Sequence, residues 1–179
     1  QALLFLYRHV LETKLPLLEE VVRAKRPKRL PVVLTQDEVQ RIYAQMEGRL
    51  RLLVGLLYGS GLRLAEALAL RVKDVELARR EIVVRGGKGN KDRVSVLPVS
   101  LVAPLREHLV SLRAWHEAER RAGAPGVVLP MALKRKHAQA AIGWPWQFLF
   151  PARELCRDPY DGRWVRWHVH PRSVQRAVQ

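Results

Sequence analysis

The spacing of apolar residues along the chain predicts an α+β protein that is mainly helical. Helices are expected over four stretches: residues 36–47, 50–58, 64–70 and 102–121. The first begins after a capping box, since Thr35 precedes Glu38 by three positions. Residues 81–85 and 93–97 are rich in β-branched side chains and predict two strands joined by a glycine-rich tip. A further short strand is expected at 72–75.

The first 34 residues differ from the rest of the chain in their sequence pattern. Residues 1–24 carry two short apolar segments that predict two helical pieces. Residues 25–34 form a basic, proline-containing linker, which is either a plain connector or a segment lying against phosphates through Lys25 and Arg26. The sequence begins and ends inside apolar helical patterns, so we expect a piece of a longer protein.

Aromatic and basic residues concentrate after residue 133. A basic run, KRKH at 134–137, precedes WPWQFLFP at 144–151, and a polar turn is expected at 158–162. Pro171 suits the first position of a final helix. Aromatic residues so spaced are more often core, but beside cations they also stack on unpaired bases, so both interpretations of Trp146 stay open.

The net charge of the chain narrows the class of partner that it is expected to bind. The chain has 32 Lys and Arg against 17 Asp and Glu, a formal net charge of +15. A folded domain this basic most often binds nucleic acid. The rival, an anionic membrane surface, lacks an amphipathic anchor here, and no apolar run approaches the roughly 18–20 residues that span a bilayer. Cys156 is the only cysteine, which predicts no disulfide or zinc cluster and fits a reducing cytosol.

Two motifs carry candidate chemistry. The segment 61–66, GLRLAE, places Arg63 and Glu66 one helical turn apart after a glycine bend. A guanidinium there suits bidentate phosphate binding, although a surface salt bridge is an equally good interpretation of this pair.

The second motif, GKGNKDR at 87–93, places Lys88 at the hairpin tip. A mobile ammonium can protonate a leaving alkoxide, and Lys91 and Arg93 are expected to grip backbone phosphates. The alternative for Lys88 is a solvated turn lysine.

Other chemistries do not fit. Gly89 follows Lys88 where a Walker loop needs Ser or Thr, and the helix with His116 lacks the second histidine of a zinc protease. His168 and His170 could chelate a metal, but no third ligand is evident. No metal site is therefore predicted.

The two motifs, in this order, resemble those of the tyrosine recombinases, or phage-type integrases. The resemblance implies that residues 1–24 end a helical core-binding domain and that residues 35–179 are a truncated catalytic domain. It also implies strand cleavage through a 3′-phosphotyrosine link without metal or nucleotide cofactor. Arg63 would stabilise the pentavalent phosphate, Lys88 would assist the leaving 5′ oxygen, and Glu66 would support the arginine. The later His-x-x-Arg box and nucleophilic tyrosine of the family do not occur in these 179 residues, so this piece is expected not to cleave DNA alone.

A narrower resemblance covers residues 126–170. The segments ALKRKH, WPWQ, FPA, DP and HVH are similar to the insertion of integron integrases, which recombine gene cassettes as DNA-bound tetramers in the bacterial cytoplasm and nucleoid. Their sites are folded single-stranded hairpins, as well as duplexes, and extrahelical bases of these hairpins are held by stacking. The positions that match, or neighbour the match, are Trp146, Pro159, Trp167, His168 and His170. Trp167 stands where the family usually has histidine, and Pro171 where it has glutamate.

Overall fold

The computed structural model describes residues 5–13, 33–87, 89 and 91–178. The chain divides into two compact units, Gln1–Leu34 and Thr35–Gln179. In the first unit, a short π-helical segment occupies Leu6–Val10 and buries none of its residues. The second helical piece and the linker cations Lys25 and Arg26 lie outside the described residues.

In the second unit, the described residues form six α-helices and five strands. The helices are α1 (Gln36–Ala44), α2 (Gly48–Ser60), α3 (Leu64–Ala69), α4 (Val99–Arg121), α5 (Met131–Lys136) and α6 (Pro171–Val178). The strands are β1 (Val75–Glu76), β2 (Glu81–Val84), β3 (Arg93–Val96), β4 (Pro151–Arg157) and β5 (Trp164–His168). The predicted α+β, mainly helical fold class is confirmed.

Both sheets are small and antiparallel. Strands β1, β2 and β3 lie in that order, and β2 pairs with β3 from Glu81 opposite Val96 to Val84 opposite Arg93. The second sheet is the β4–β5 hairpin, whose turn falls at the predicted 158–162. The register of β2 and β3 confirms the predicted hairpin around the glycine-rich tip.

Helix α1 begins where the capping box predicts. The Thr35 hydroxyl accepts a hydrogen bond from the Glu38 amide, and the Glu38 carboxylate accepts one from the Thr35 amide at 2.8 Å. These reciprocal bonds satisfy amides that have no partner within the helix, which stabilises the first turn.

Helix α2 passes through the core. Leu53 and Leu56 are fully buried, and a side chain at Gly59 would put its Cβ 2.5 Å from Pro98 at the start of α4. Gly61 then adopts a left-handed conformation with φ of +60° and ends the helix. This termination sets the position of Arg63, the next polar residue.

Residues 72–75 differ from the strand predicted there. Val72–Asp74 is a 3₁₀ helix, and only Val75 and Glu76 continue as strand β1. The Asp74 carboxylate accepts a hydrogen bond from the Arg71 amide and so caps this turn. The β-branched residues Val72 and Val75 therefore predicted a strand, although Asp74 between them caps a turn.

The region after residue 126 has its own small core. Val127, Leu129 and Phe148 are buried together, and Trp146 packs against them. Two further 3₁₀ helices, Ala138–Ile142 and Trp144–Trp146, connect α5 to β4. Over the described part of the chain, no helix is both long and apolar enough to cross a bilayer.

Candidate nucleic-acid interface

Arg63 and Glu66 form the local pair that their spacing predicts. Arg63 is the residue before α3, and its amide donates to Glu66 Oε2 at 2.9 Å. Its Nη1 also donates to Glu66 Oε1 at 2.9 Å. The glutamate therefore caps the helix and holds the arginine side chain at once, while 57% of that side chain stays exposed.

Arg93 adds a contact that sequence spacing does not reveal. From the first position of β3, its Nη1 donates to Glu66 Oε1 at 2.9 Å and its Nη2 to Oε2 at 2.7 Å. This bidentate geometry is the strongest that an arginine and a carboxylate form. Glu66, with only 8% of its side chain exposed, therefore joins the arginine box to the β2–β3 hairpin.

These contacts fix the charge of the carboxylate. Hydrogen bonds from Arg93, opposed by partial burial and aided by Arg63, lower the pKa of Glu66 to about 2. The same pair raises the pKa of Arg93. Glu66 and Arg93 are thus ionised at neutral pH, and the two guanidiniums that contact this one carboxylate leave one positive charge in excess.

An open pocket of about 600 Å³ faces this excess charge. Its lining comprises Gly61, Arg63, Lys91, Asp92 and Arg93. Asp92 is engaged in the hairpin, because it accepts from the Gly86 amide at 2.9 Å and lies 3.6 Å from Arg85 Nη1. The pocket therefore presents three cations to solvent and suits a phosphate group.

Lys88 and Asn90 lie outside the described residues. The hairpin that carries them is held at its base, where Gly87 donates to the Lys91 carbonyl at 3.0 Å. A Cβ at Gly87 would lie 2.9 Å from Arg93 Nη1 and 3.3 Å from Glu66 Oε1. A side chain at this position would also lie 3.1 Å from the Lys91 carbonyl oxygen and would push against the ion pair.

The aromatic candidate Trp146 is half-buried and flanked by two cations. The Lys73 ammonium lies 3.4 Å from its ring centroid and the Arg71 guanidinium 5.3 Å from it. Both distances are typical of cation–π contacts. A base that stacks on the face covered by Lys73 has to displace this lysine.

Arg71 fixes the backbone beneath the tryptophan. Its Nη1 donates to the Trp146 carbonyl at 2.6 Å and its Nη2 to the Val128 carbonyl at 2.7 Å. It also lies 4.2 Å from the Phe148 ring centroid. Burial lowers the pKa of Arg71 to about 10, so the guanidinium stays charged at neutral pH.

His168 belongs to the same cluster. Its ring meets Phe148 edge-on at 5.5 Å and Trp167 at 5.9 Å. Its Nδ1 lies 2.8 Å from the Val169 carbonyl, which can only accept, so Nδ1 carries the proton and Nε2 is the free acceptor of the neutral ring. Burial lowers the pKa of His168, which favours this neutral form.

The remaining predicted base contacts are more dispersed. His170 is exposed and accepts from the Arg172 amide, just before α6. Pro159 is exposed in the β4–β5 turn, at the far end of β5 from His168. Since a strand rises about 3.3 Å per residue, the length of β5 separates Pro159 from His168 by about 13 Å or more.

The turn that carries Pro159 is anchored to α5. Lys134 Nζ contacts Asp158 Oδ2 and Asp161 Oδ2, each at 2.6 Å, and Asp158 is almost fully buried. The Tyr160 amide donates to Asp158 Oδ1 at 3.0 Å. Two carboxylates and one ammonium therefore hold the turn in place.

Sequence reasoning missed Arg71, Lys73, Lys134 and the bidentate role of Arg93. Each acts through a contact with residues at least 24 positions away, so no local spacing could have revealed it. Over the described residues, no group of three or more His, Cys, Asp or Glu could hold a metal ion.

Comparison with known proteins places this geometry in a family. The model of the phage integrase family matches residues 32–169, which is most of the chain. The chain belongs to the phage integrase family. The match includes the arginine box, the β2–β3 hairpin and the tryptophan-rich segment.

Relatives of this integrase chain extend the match. An integrase/recombinase of Escherichia coli and one of Pseudomonas aeruginosa are each 48% identical over 178 residues, covering 99% of this chain and 53% of the relative. The tyrosine recombinase XerA of Thermococcus kodakarensis is 46% identical over 96 residues, covering 52% of this chain and 34% of that protein. The chain thus spans about half the length of the relatives it matches most fully.

The fold also agrees with that of a solved recombinase structure. A crystal structure of XerA recombinase superposes with a TM-score of 0.53 at 23% identity, covering 99% of this chain and 49% of that one. At this level of identity the agreement concerns the fold alone.

Proposed function

We propose that this chain is part of a site-specific DNA recombinase and that its cationic pocket binds the phosphate at which strands are exchanged. The observation that carries the proposal is Arg63, held by Glu66 at the mouth of the pocket with most of its side chain exposed. Membership of the phage integrase family and the net charge of +15 support it.

In this proposal each residue has a separate task. Arg63 binds a non-bridging phosphate oxygen and stabilises the charge that develops as phosphorus becomes five-coordinate, an effect that preorganised donors provide. Lys88 donates a proton to the leaving 5′ oxygen. Lys91 contacts a neighbouring phosphate, and Glu66 keeps Arg63 oriented. No tyrosine is among the described residues that line the pocket, and the proposal gives none of the tyrosines of this chain the role of nucleophile.

Salt-dependent DNA binding tests the pocket. Duplex affinity is measured for the wild-type chain, for Arg63→Gln and for the control Arg113→Gln, which removes an equally exposed arginine from α4. Loss of one phosphate contact is expected to weaken binding about tenfold and to reduce the slope of log affinity against log salt by about 0.9. Equal behaviour of the two variants would contradict the proposal.

We further propose an integron-type specificity, in which the insertion 126–170 recognises a folded single strand with extrahelical bases. Trp146 offers an aromatic face once Lys73 moves aside, and His168 offers Nε2 as an acceptor for a base amino group. Trp167 and His170 lie on the same segment, and Pro159 would contact a second base from the separate turn. Duplex sites would be bound through the phosphates alone.

A pair of hairpins tests this specificity. One stem carries two bulged bases and the other lacks them, and affinity is measured at one salt concentration for wild type, Trp146→Ala and the control Trp115→Ala. Trp115 is also half-buried, but it packs beneath Arg166 instead of Lys73. A preference for bulges that only Trp146→Ala removes would support the proposal.

Equal affinity of the wild-type chain for both hairpins would favour the second candidate, a non-catalytic DNA-binding remnant. The same family also motivates three wider proposals: a core-binding domain ending at residue 24, assembly as a tetramer on DNA, and action in the bacterial cytoplasm at the nucleoid. Analytical ultracentrifugation with and without site DNA tests the assembly.

A further inference from the structure

The contacts of Glu66 are unevenly divided between its two arginines. Arg93 occupies both carboxylate oxygens through Nη1 and Nη2, at 2.9 and 2.7 Å. Arg63 uses a single side-chain donor, Nη1, on Oε1, and its backbone amide takes a place on Oε2. With four hydrogen bonds accepted, the acceptor capacity of the carboxylate is full.

This division leaves most of the side-chain donors of Arg63 available for a further ligand. A guanidinium has five N–H donors, and within the described part of the chain Arg63 is seen to donate one of them, to Glu66. If Arg93 were absent, both oxygens of Glu66 would be open to Arg63, and a fork-to-fork pair would form between neighbours one helical turn apart. Such a pair would offset the positive charge of Arg63 and occupy two of its donors.

We infer that Arg93 is a positioning residue, which occupies Glu66 so that the positive charge and the free donors of Arg63 stay available to a phosphate. This inference rests on the proposed function and gives Arg93 a different task from gripping a phosphate itself. The hairpin is consistent with it, because Gly87 lies directly against both partners, with a Cβ there falling 2.9 Å from Arg93 Nη1 and 3.3 Å from Glu66 Oε1. The contact also links strand β3, which begins at Arg93, to helix α3, which Arg63 precedes.

The first test needs no DNA. The rate at which phenylglyoxal modifies Arg63 is followed by peptide mass spectrometry in wild type, Arg93→Gln, Glu66→Gln and the double variant. A carboxylate paired with a guanidinium favours the charged, unreactive form. We expect Arg93→Gln to slow modification of Arg63 several-fold and the double variant to restore the wild-type rate or exceed it. An unchanged rate in Arg93→Gln would overturn the inference.

The second test measures coupling on DNA. The effect of Arg63→Gln on duplex affinity is measured in each of the four backgrounds. We expect about a tenfold loss in the wild-type background, little loss beside Arg93→Gln, and a tenfold loss again when Glu66→Gln is added. A loss beside Arg93→Gln as large as in wild type, or no recovery in the double variant, would overturn it.

Two further provisions distinguish a failure of this inference from a variant that does not fold and from a failure of the proposed function. If Arg93→Gln does not fold, as judged by circular dichroism, Arg93→Lys replaces it, because one ammonium cannot occupy both oxygens, and an intermediate slowing is expected. If Arg63→Gln does not weaken DNA binding in wild type, the proposed function fails, while the modification rates still decide the role of Arg93.

Discussion

Replacing Glu66 by glutamine tests the network on which the site depends. The substitution keeps the shape of the side chain and removes its charge. It also turns one oxygen into an NH₂ group, which then faces two donors: an Arg93 Nη together with either Arg63 Nη1 or the Arg63 amide. A donor facing a donor loses the hydrogen bond and leaves both groups unpaired.

The expected cost follows from the contacts. Hydrogen bonds to charged groups contribute roughly 1.5–3 kcal/mol, and exposed ion pairs less than about 1 kcal/mol. The arginines are 57% and 36% exposed, so solvent screens both pairs. We therefore expect Glu66→Gln to lower the free energy of unfolding at pH 7 by about 2 kcal/mol, which shifts a urea midpoint by about 1 M.

The pH dependence gives a second, independent signature. The pKa of Glu66 falls from an ordinary 4.5 to about 2 on folding. The stability contributed by the carboxylate is fully present above pH 4.5 and is lost as the pH falls toward 2. The difference between wild type and Glu66→Gln should therefore be constant from pH 7 to 5, and roughly half of it should be gone at pH 3.

Urea unfolding followed by circular dichroism at pH 7, 5, 4 and 3 measures both quantities. Glu117→Gln is the matched control, because Glu117 pairs with Arg113 in an exposed i, i+4 contact. A much smaller cost is expected for it. If Glu66→Gln cost no more than the control, or if its cost did not vary with pH, the reasoning about the network would be refuted.

Three other changes are predicted. Arg71→Ala should lower the free energy of unfolding by about 3 kcal/mol, because the carbonyls of Trp146 and Val128 lose their donor. Arg121→Ala on α4 is the control. Equal urea midpoints for the two variants would contradict the prediction. Lys134→Met should lower the free energy of unfolding by about 2–3 kcal/mol, because the buried Asp158 carboxylate loses its cation. Lys136→Met, at an exposed position, is the control and should cost little in the same urea assay. A negligible cost for Lys134→Met would contradict this prediction. NMR titration of His168 should give a pKa below 6.5, because burial disfavours the charged ring. The stability that the neutral ring contributes is therefore fully present above pH 6.5 and decreases at lower pH. A pKa at or above 6.5 would show that the ring is open to solvent.

Local signals predicted the elements that depend on neighbouring residues. The Thr35–Glu38 capping box, the Gly61 termination, the β2–β3 hairpin and the start of α6 at Pro171 each involve positions within a few residues. The Arg63–Glu66 pair was predictable for the same reason, because one helical turn separates its members.

Contacts between distant segments could not be predicted in this way. The sequence shows a cation at Arg93 but not that β3 brings it to Glu66, 27 positions earlier. Trp146 meets Lys73 only because the 3₁₀ helix after α3 packs beneath the tryptophan-rich segment. The error at residues 72–75 has the same origin, since Asp74 also accepts from Arg85 in the neighbouring strand region, a contact that stabilises a turn instead of a strand.

The most direct test of the account is to locate the bound DNA. The chain is photocrosslinked to a bulged hairpin with ultraviolet light, and crosslinked peptides are identified by mass spectrometry. We predict crosslinks in residues 58–66 and 86–93, which include the residues seen to line the pocket, and in residues 144–168, which contain Trp146 and His168. Crosslinks confined to the exposed face of α4, with none in these segments, would contradict the account.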